Sequence, residues 1–94
     1  MLVGAKLTAK IIAGCTIEED IDYHGNDIND KVVESSQACA DFCASTTDGQ
    51  YWTWDRRDKR CWVKTSKSGR TNKAMTVSGN RGCGGPGRGS HTYD

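Results

Sequence analysis

The chain has little with which to build an apolar core. Apolar residues are 35% of its 94 positions, phenylalanine occurs once, and large aliphatics are few. No run comes near the roughly 20 consecutive apolar residues that a membrane-spanning helix needs, so membrane insertion is not expected. The opening "MLVGAKLTAKIIAG" lacks the unbroken apolar stretch of a secretory signal, because Lys6, Thr8 and Lys10 interrupt it. No Asn-x-Ser/Thr sequence occurs, since Asn26, Asn29, Asn72 and Asn80 all lack the hydroxyl residue two places on. Histidine is found only at positions 24 and 91. Neither His24 nor His91 stands by an evident Ser or Cys nucleophile, and no enzymatic activity is expected. Cys39 and Cys43 have no CxxC or HxxxH spacing around them, which argues against zinc. "DIDYHGNDINDK" places Asp20, Asp22 and Gly25 at the first, third and sixth positions of a calcium loop. His24 is a poor fifth ligand and Lys31 replaces the bidentate glutamate at the twelfth, so an EF-hand is excluded. Neither metal nor cofactor is expected.

What the chain does have is cysteine, glycine and charge. Ninety-four residues make one domain at most, and a domain this small buries too little surface to be comfortably stable through its core. Five cysteines, at positions 15, 39, 43, 61 and 83, supply the staple and indicate a secreted, disulfide-framed domain. Without an export signal of its own, such a chain is expected to be a piece of a larger secreted protein, with Met1 an added start. Five is odd, so one thiol is left over or pairs outside the chain.

Net charge is +1 but unevenly spread. Residues 1–55 hold three lysines against ten acidic residues, a balance of −7; residues 56–94 hold ten Lys or Arg against two Asp, a balance of +8. Such halves either steer an anionic partner to one side of the fold or neutralise one another across it.

Along the chain, Leu7 to Ile17 alternates well enough for a strand, with Gly14 a candidate bulge. "DIDYHGNDINDK" reads as a loop or bent edge segment. "VVESSQACADFCAST" carries the one convincing helix, about ten residues from Ser36, capped by Ser35 or Ser36, with Cys39, Phe42 and Cys43 on one face. "YWTW" and "CWVK" read as strands joined by the polar turn "DRRDKR", "TSKSGRTNK" as a loop and "AMTVSG" as a closing strand. The fold class is therefore α+β: a disulfide-stapled antiparallel β-sheet, partly a strand meander, with one α-helix packed across it. Residues 1–14 are an N-terminal strand, linker or added segment, 15–83 the domain, and 84–94 a Gly-rich C-terminal linker.

Cys39 and Cys43, one helical turn apart, cannot easily bond to each other and must reach toward the sheet, where Cys61 is the strand cysteine in range. Cys15 and Cys83 are natural partners that close the domain. In the chain-entropy model the terminal bridge removes on the order of 4 kcal/mol of unfolded-state freedom and a helix-to-strand bridge roughly 3 kcal/mol. Loss of either is expected to unfold the domain.

The pattern "C…DYHGNDI…SSQACADFC…YWTWDRRDKRCWVK…VSGNRGC" over residues 15 to 83 resembles the PAN/apple domain. Its most specific parts are "CADFC", "YWTW" and "CWVK"; "DYHGNDI" and "VSG" look most like the microneme adhesins of apicomplexan parasites. The resemblance implies disulfides Cys39–Cys61 and Cys15–Cys83. The family's usual mate for the second helix cysteine would fall near Gly49 and Gln50, where this chain has none, which leaves Cys43 as a buried free thiol.

Eight cations, Arg56, Arg57, Lys59, Arg60, Lys64, Lys67, Arg70 and Lys73, are the candidate ligand-binding residues, as an anion-binding face or as solvated hairpin ends. Trp52 or Trp54, together with Trp62, are expected in the core rather than on a stacking platform. The resemblance implies a non-enzymatic extracellular adhesion module that binds protein or carbohydrate on a cell surface, or another adhesin. It would be one repeat of a larger chain and located in the microneme if the likeness to that branch holds. The alternatives are an apple module of a secreted protease zymogen and, third, a nucleic-acid binder.

Overall fold

The computed structural model describes residues 15–84, so the expectations for Leu7–Ala13, Gly14, His91 and the terminal linkers lie outside the described residues. Five strands and one helix follow in the order β1 (Ile17–Tyr23), β2 (Asp27–Val32), α1 (Ser36–Ala44), β3 (Tyr51–Asp55), β4 (Arg60–Lys64) and β5 (Arg70–Asn80). All strand pairs are antiparallel, and the sheet order is β1-β5-β3-β4-β2. The α+β class is as expected. The meander is not: β5 skips β4 and pairs with β3, because β2 already occupies the outer edge of β4. "DIDYHGNDINDK" is likewise mostly strand, feeding the two opposite edges of the sheet through a turn at residues 24–26. "TSKSGRTNK" is loop only to Gly69, and its last four residues open β5.

The helix forms where its capping chemistry is present. Ser35 is extended and its hydroxyl accepts from the Ala38 N–H at 3.0 Å, satisfying a first-turn donor. At the other end the Thr46 N–H donates to the Cys43 carbonyl (3.1 Å), and the Arg81 guanidinium donates to the Ala44 carbonyl (2.7 Å), to that of Cys43 and, beyond the helix, to that of Gly49. α1 lies on β3 and β4, and the Cys39–Cys61 disulfide joins helix to sheet. Around it Ala40, Cys43, Trp52, Val63 and Val77 are fully or almost fully buried. Trp52 sets the thickness of this layer. Its ring lies where a side chain on Gly79, its register partner, would collide with it, and its Nε1–H donates to the carbonyls of Asn80 (2.9 Å) and Cys83 (3.1 Å). A second disulfide, Cys15–Cys83, ties the ends of the described chain across 68 residues.

The opposite face of the sheet is covered by the β1–β5 pair itself. Pairing runs from Ile17↔Gly79 to Glu19↔Val77, then resumes at Ile21↔Asn72, leaving Asp20 alone opposite residues 73–76. Asp20 (φ 57°) and Met75 (φ 71°) take left-handed backbone there, and the Asp20 carboxylate accepts from the Met75 N–H at 3.1 Å. The ribbon doubles back at this bulge. Ser78, which pairs with Glu18, also donates its hydroxyl to the Ile21 carbonyl, and the Tyr23 hydroxyl donates back to Glu18 at 2.6 Å, contacts that one straight strand does not permit. The returning arm seats Ile21 and Tyr23 over Thr53, whose hydroxyl accepts from the Tyr23 N–H.

Candidate functional site

The eight candidate cations do not converge on one face. Arg56, Arg57, Lys59 and Arg60 stand at the β3–β4 tip, Lys67 and Arg70 border the loop at the other end of the sheet, and Lys64 and Lys73 line a pocket between them. Most are already paired within the chain. Arg56 meets Glu19 at 2.7 Å, Arg57 meets Asp55 at 2.8 Å, and Lys59 meets Glu34 at 3.2 Å. Arg60 pairs with Asp30, Arg70 with Glu18 and Lys64 with Asp27. Lys67 lies over the Tyr51 ring, 5.6 Å from its centroid. The acidic and basic halves of the sequence thus neutralise one another across the fold.

Two of these pairs are strong enough to move a carboxyl group's protonation. The Arg70 guanidinium, followed by the Tyr23 hydroxyl, holds Glu18 below the usual carboxylate range, and Arg57 does the same for Asp55. Burial, reinforced by the hydrogen bond to Glu18, raises Tyr23 well above an ordinary phenol. The thiol of Cys43 is fully buried, points its hydrogen at the Tyr51 carbonyl, and is pushed up to about 11 by burial. At neutral pH that sulfur is an unreactive thiol.

The pocket lies between the returning arm of β1 and the sheet, on the side away from the helix, with a volume of about 420 Å³. The arm and its turn contribute Asp22, His24, Gly25 and Asp27; the sheet contributes Thr53, Trp62, Lys64 and Thr76, with Lys73 at the bulge. Strand alternation explains Trp62. Cys61 and Val63 face the helix, so Trp62 and Lys64 face the other way. The expectation that Trp62 packs in the core is corrected by this register, which leaves it half-buried beside the pocket; Trp52 fills the core and Trp54 packs at its margin. The Lys64 side chain is 3% exposed, and its ammonium donates to the Gly25 carbonyl (3.1 Å) and to Asp27 (2.6 Å). Asp22, Asp27, Thr53 and Thr76 as pocket residues are not evident in the sequence, because the doubled ribbon that gathers them depends on one unpaired residue, Asp20. Among the described residues, no group of three or more His, Cys, Asp or Glu is arranged to hold a metal.

A helix riveted by a disulfide to an antiparallel sheet, over a segment with this spacing, has a known counterpart. Residues 21–64 match the family model of the PAN domain. The match runs from the returning arm of β1 to the end of β4 and contains α1 and the Cys39–Cys61 bridge. PAN domains are protein- and carbohydrate-binding modules, generally without catalytic activity. The chain is also 31% identical over 58 residues to uncharacterized protein L719 of Acanthamoeba polyphaga mimivirus, a stretch covering 62% of this chain. The matched stretch is 17% of the length of that protein.

Proposed function

We propose that residues 15–83 form a PAN/apple-type adhesion module, non-enzymatic and extracellular, that binds a protein or carbohydrate on a cell surface. The observation that carries this reading is the helix pinned by Cys39–Cys61 to an antiparallel sheet within the PAN-matched segment. Two disulfides in a chain this short suit an oxidising compartment. The match to a small part of the longer L719 protein supports a module carried within a larger chain. The likeness of "DYHGNDI" and "VSG" to the microneme branch supports a repeat of an apicomplexan adhesin acting in host-cell attachment. Contact falls to the β3–β4 tip, where Arg56, Arg57 and Lys59 are exposed, and to the pocket with Lys64 and Lys73. Because the tip cations are already paired, their phosphate contacts should be few.

A glycan array and a cell-surface binding assay, run beside heparin and DNA columns at rising salt, test the proposal. Saturable binding to a defined glycan or surface protein, with DNA eluting early, is expected. Retention on DNA that collapses steeply with salt would instead make this a nucleic-acid binder.

A further inference from the structure

Three tryptophans stand on the sheet, and two of them are spent on the scaffold. The indole N–H of Trp52 donates to Asn80 and Cys83, and that of Trp54 to the Val33 carbonyl at 3.2 Å. Trp62 differs: its ring is half-buried at the pocket and its N–H has no partner among the described residues. Trp62 pairs directly with Thr53, whose hydroxyl accepts from the Tyr23 N–H, so the residue before Tyr23 reaches the pocket one threonine away from the ring. That residue is Asp22, which is 9% exposed. Among the described residues its carboxylate accepts no hydrogen bond and has no Lys or Arg within 4 Å; its one polar contact is His24 Nδ1 at 3.7 Å, a counter-charge only when the imidazole is protonated. A carboxylate at that depth costs free energy until donors meet it. The lysines of the pocket do not supply them. Lys64 is closed onto Asp27 and the Gly25 carbonyl, and Lys73, behind Arg57, acts on Asp55 and helps hold that carboxyl below its usual range. The pocket is left with one uncompensated negative charge beside one free aromatic face.

We propose that this pocket binds a guanidinium, paired with Asp22 and lying against the Trp62 ring. The inference rests on the reading of the domain as a binding module and names the chemistry of one of its surfaces. A guanidinium suits both walls, because its planar fork matches a carboxylate bidentately and it is hydrated weakly enough to stack on an indole. An ammonium offers only a point charge and holds its water more tightly. A neutral polyol finds few partners, since Thr53 is bonded to the Tyr23 N–H and to Ser78 and Thr76 donates to the Lys73 carbonyl. The volume, about 420 Å³, falls within the range of small-ligand sites. The source is either an arginine of a partner protein or a free alkylguanidinium. The idle Trp62 N–H favours the first, because a peptide brings carbonyl acceptors that an alkylguanidinium lacks.

The test is titration of the isotopically labelled chain with acetyl-Gly-Arg-Gly-amide, followed by backbone and indole N–H chemical shifts, alongside the lysine and citrulline versions of that peptide, ethylguanidinium and galactose. Saturable shifts at Asp22, Tyr23 and the Trp62 indole are expected. The lysine peptide should bind about tenfold more weakly, and the citrulline peptide, which keeps the shape and loses the charge, more weakly still. Asp22→Asn and Trp62→Leu, each checked for an otherwise unchanged amide spectrum, should weaken the arginine peptide about tenfold. Lys73→Gln should leave its affinity the same or raise it, since a cationic ligand has no use for that ammonium. Tighter binding of the arginine peptide than of ethylguanidinium assigns the protein source; equal binding assigns the free one. Equal binding of the arginine and citrulline peptides, tighter binding of galactose at the same residues, weakening by Lys73→Gln, or no shifts at all would overturn the proposal. Those negative results together with a surviving glycan or cell-surface hit would leave the adhesion reading in place, whereas loss of both removes both.

Discussion

Cys43 sits in an environment far from that of the unfolded chain. Its thiol titrates at about 11 when folded against an ordinary value of 9.0. Folding therefore favours the protonated form, and the stability it contributes is present below pH 9 and lost as pH rises from 9 toward 11, where only the unfolded chain releases the proton. Denaturant melts should show wild type losing about 2–3 kcal/mol relative to Cys43→Ala across that window. Trp52 carries the opposite kind of dependence, on packing and two hydrogen bonds rather than on charge. Trp52→Phe removes the indole donor from the Asn80 and Cys83 carbonyls and leaves a gap in the core, and chemical denaturation should report a loss of about 2–3 kcal/mol. That Trp52 or Trp54 fills the core was legible in the sequence, since so little else can; which of the two does so was not. The side chosen by Trp62 was also latent in strand alternation, once Cys61 is known to face the helix.

At the scale of elements, the helix was the most legible part because its signals are local. Ser35, the Cys39–Phe42–Cys43 face and the glycine and threonines that end it all lie within fifteen residues of one another. Removing the cap by Ser35→Ala should cost about 1 kcal/mol in a thermal or denaturant melt. Strand pairing was less legible. The sheet order joins β5 to β3 across a large sequence separation, and the bend that makes the pocket hangs on left-handed backbone at Asp20 and Met75, neither a glycine. Met75 is 44% exposed and gains little from burial, so Met75→Gly should relieve the backbone cost and raise stability by about 1 kcal/mol. A β-branched residue there should lower it. Doubling of the ribbon is thus a tertiary event that no window of the sequence announces.

For the whole molecule, the charge division that suggests a one-sided field is resolved as a set of bonds across the fold, with Glu18, Glu19, Asp27, Asp30 and Glu34 from the first half meeting cations of the second. The exposed pairs among them, all but Lys64–Asp27, add little stability each, and raising the salt should change the melting temperature only slightly. The disulfides matter far more. Cys39–Cys61 closes 22 residues and Cys15–Cys83 closes 68, and opening either removes roughly 3–4 kcal/mol, a large part of what a domain this size possesses. The covalent frame is therefore what allows a chain with few large aliphatics to hold a rigid sheet, a buried Trp52 and a polar pocket in place. Peptide mapping of the unreduced protein, after alkylation in denaturant, tests this frame most directly. The account predicts that Cys39 is found linked to Cys61 and Cys15 to Cys83, with Cys43 alone alkylated; a linkage from Cys43 to Cys61, or Cys39 and Cys61 both alkylated, would contradict it.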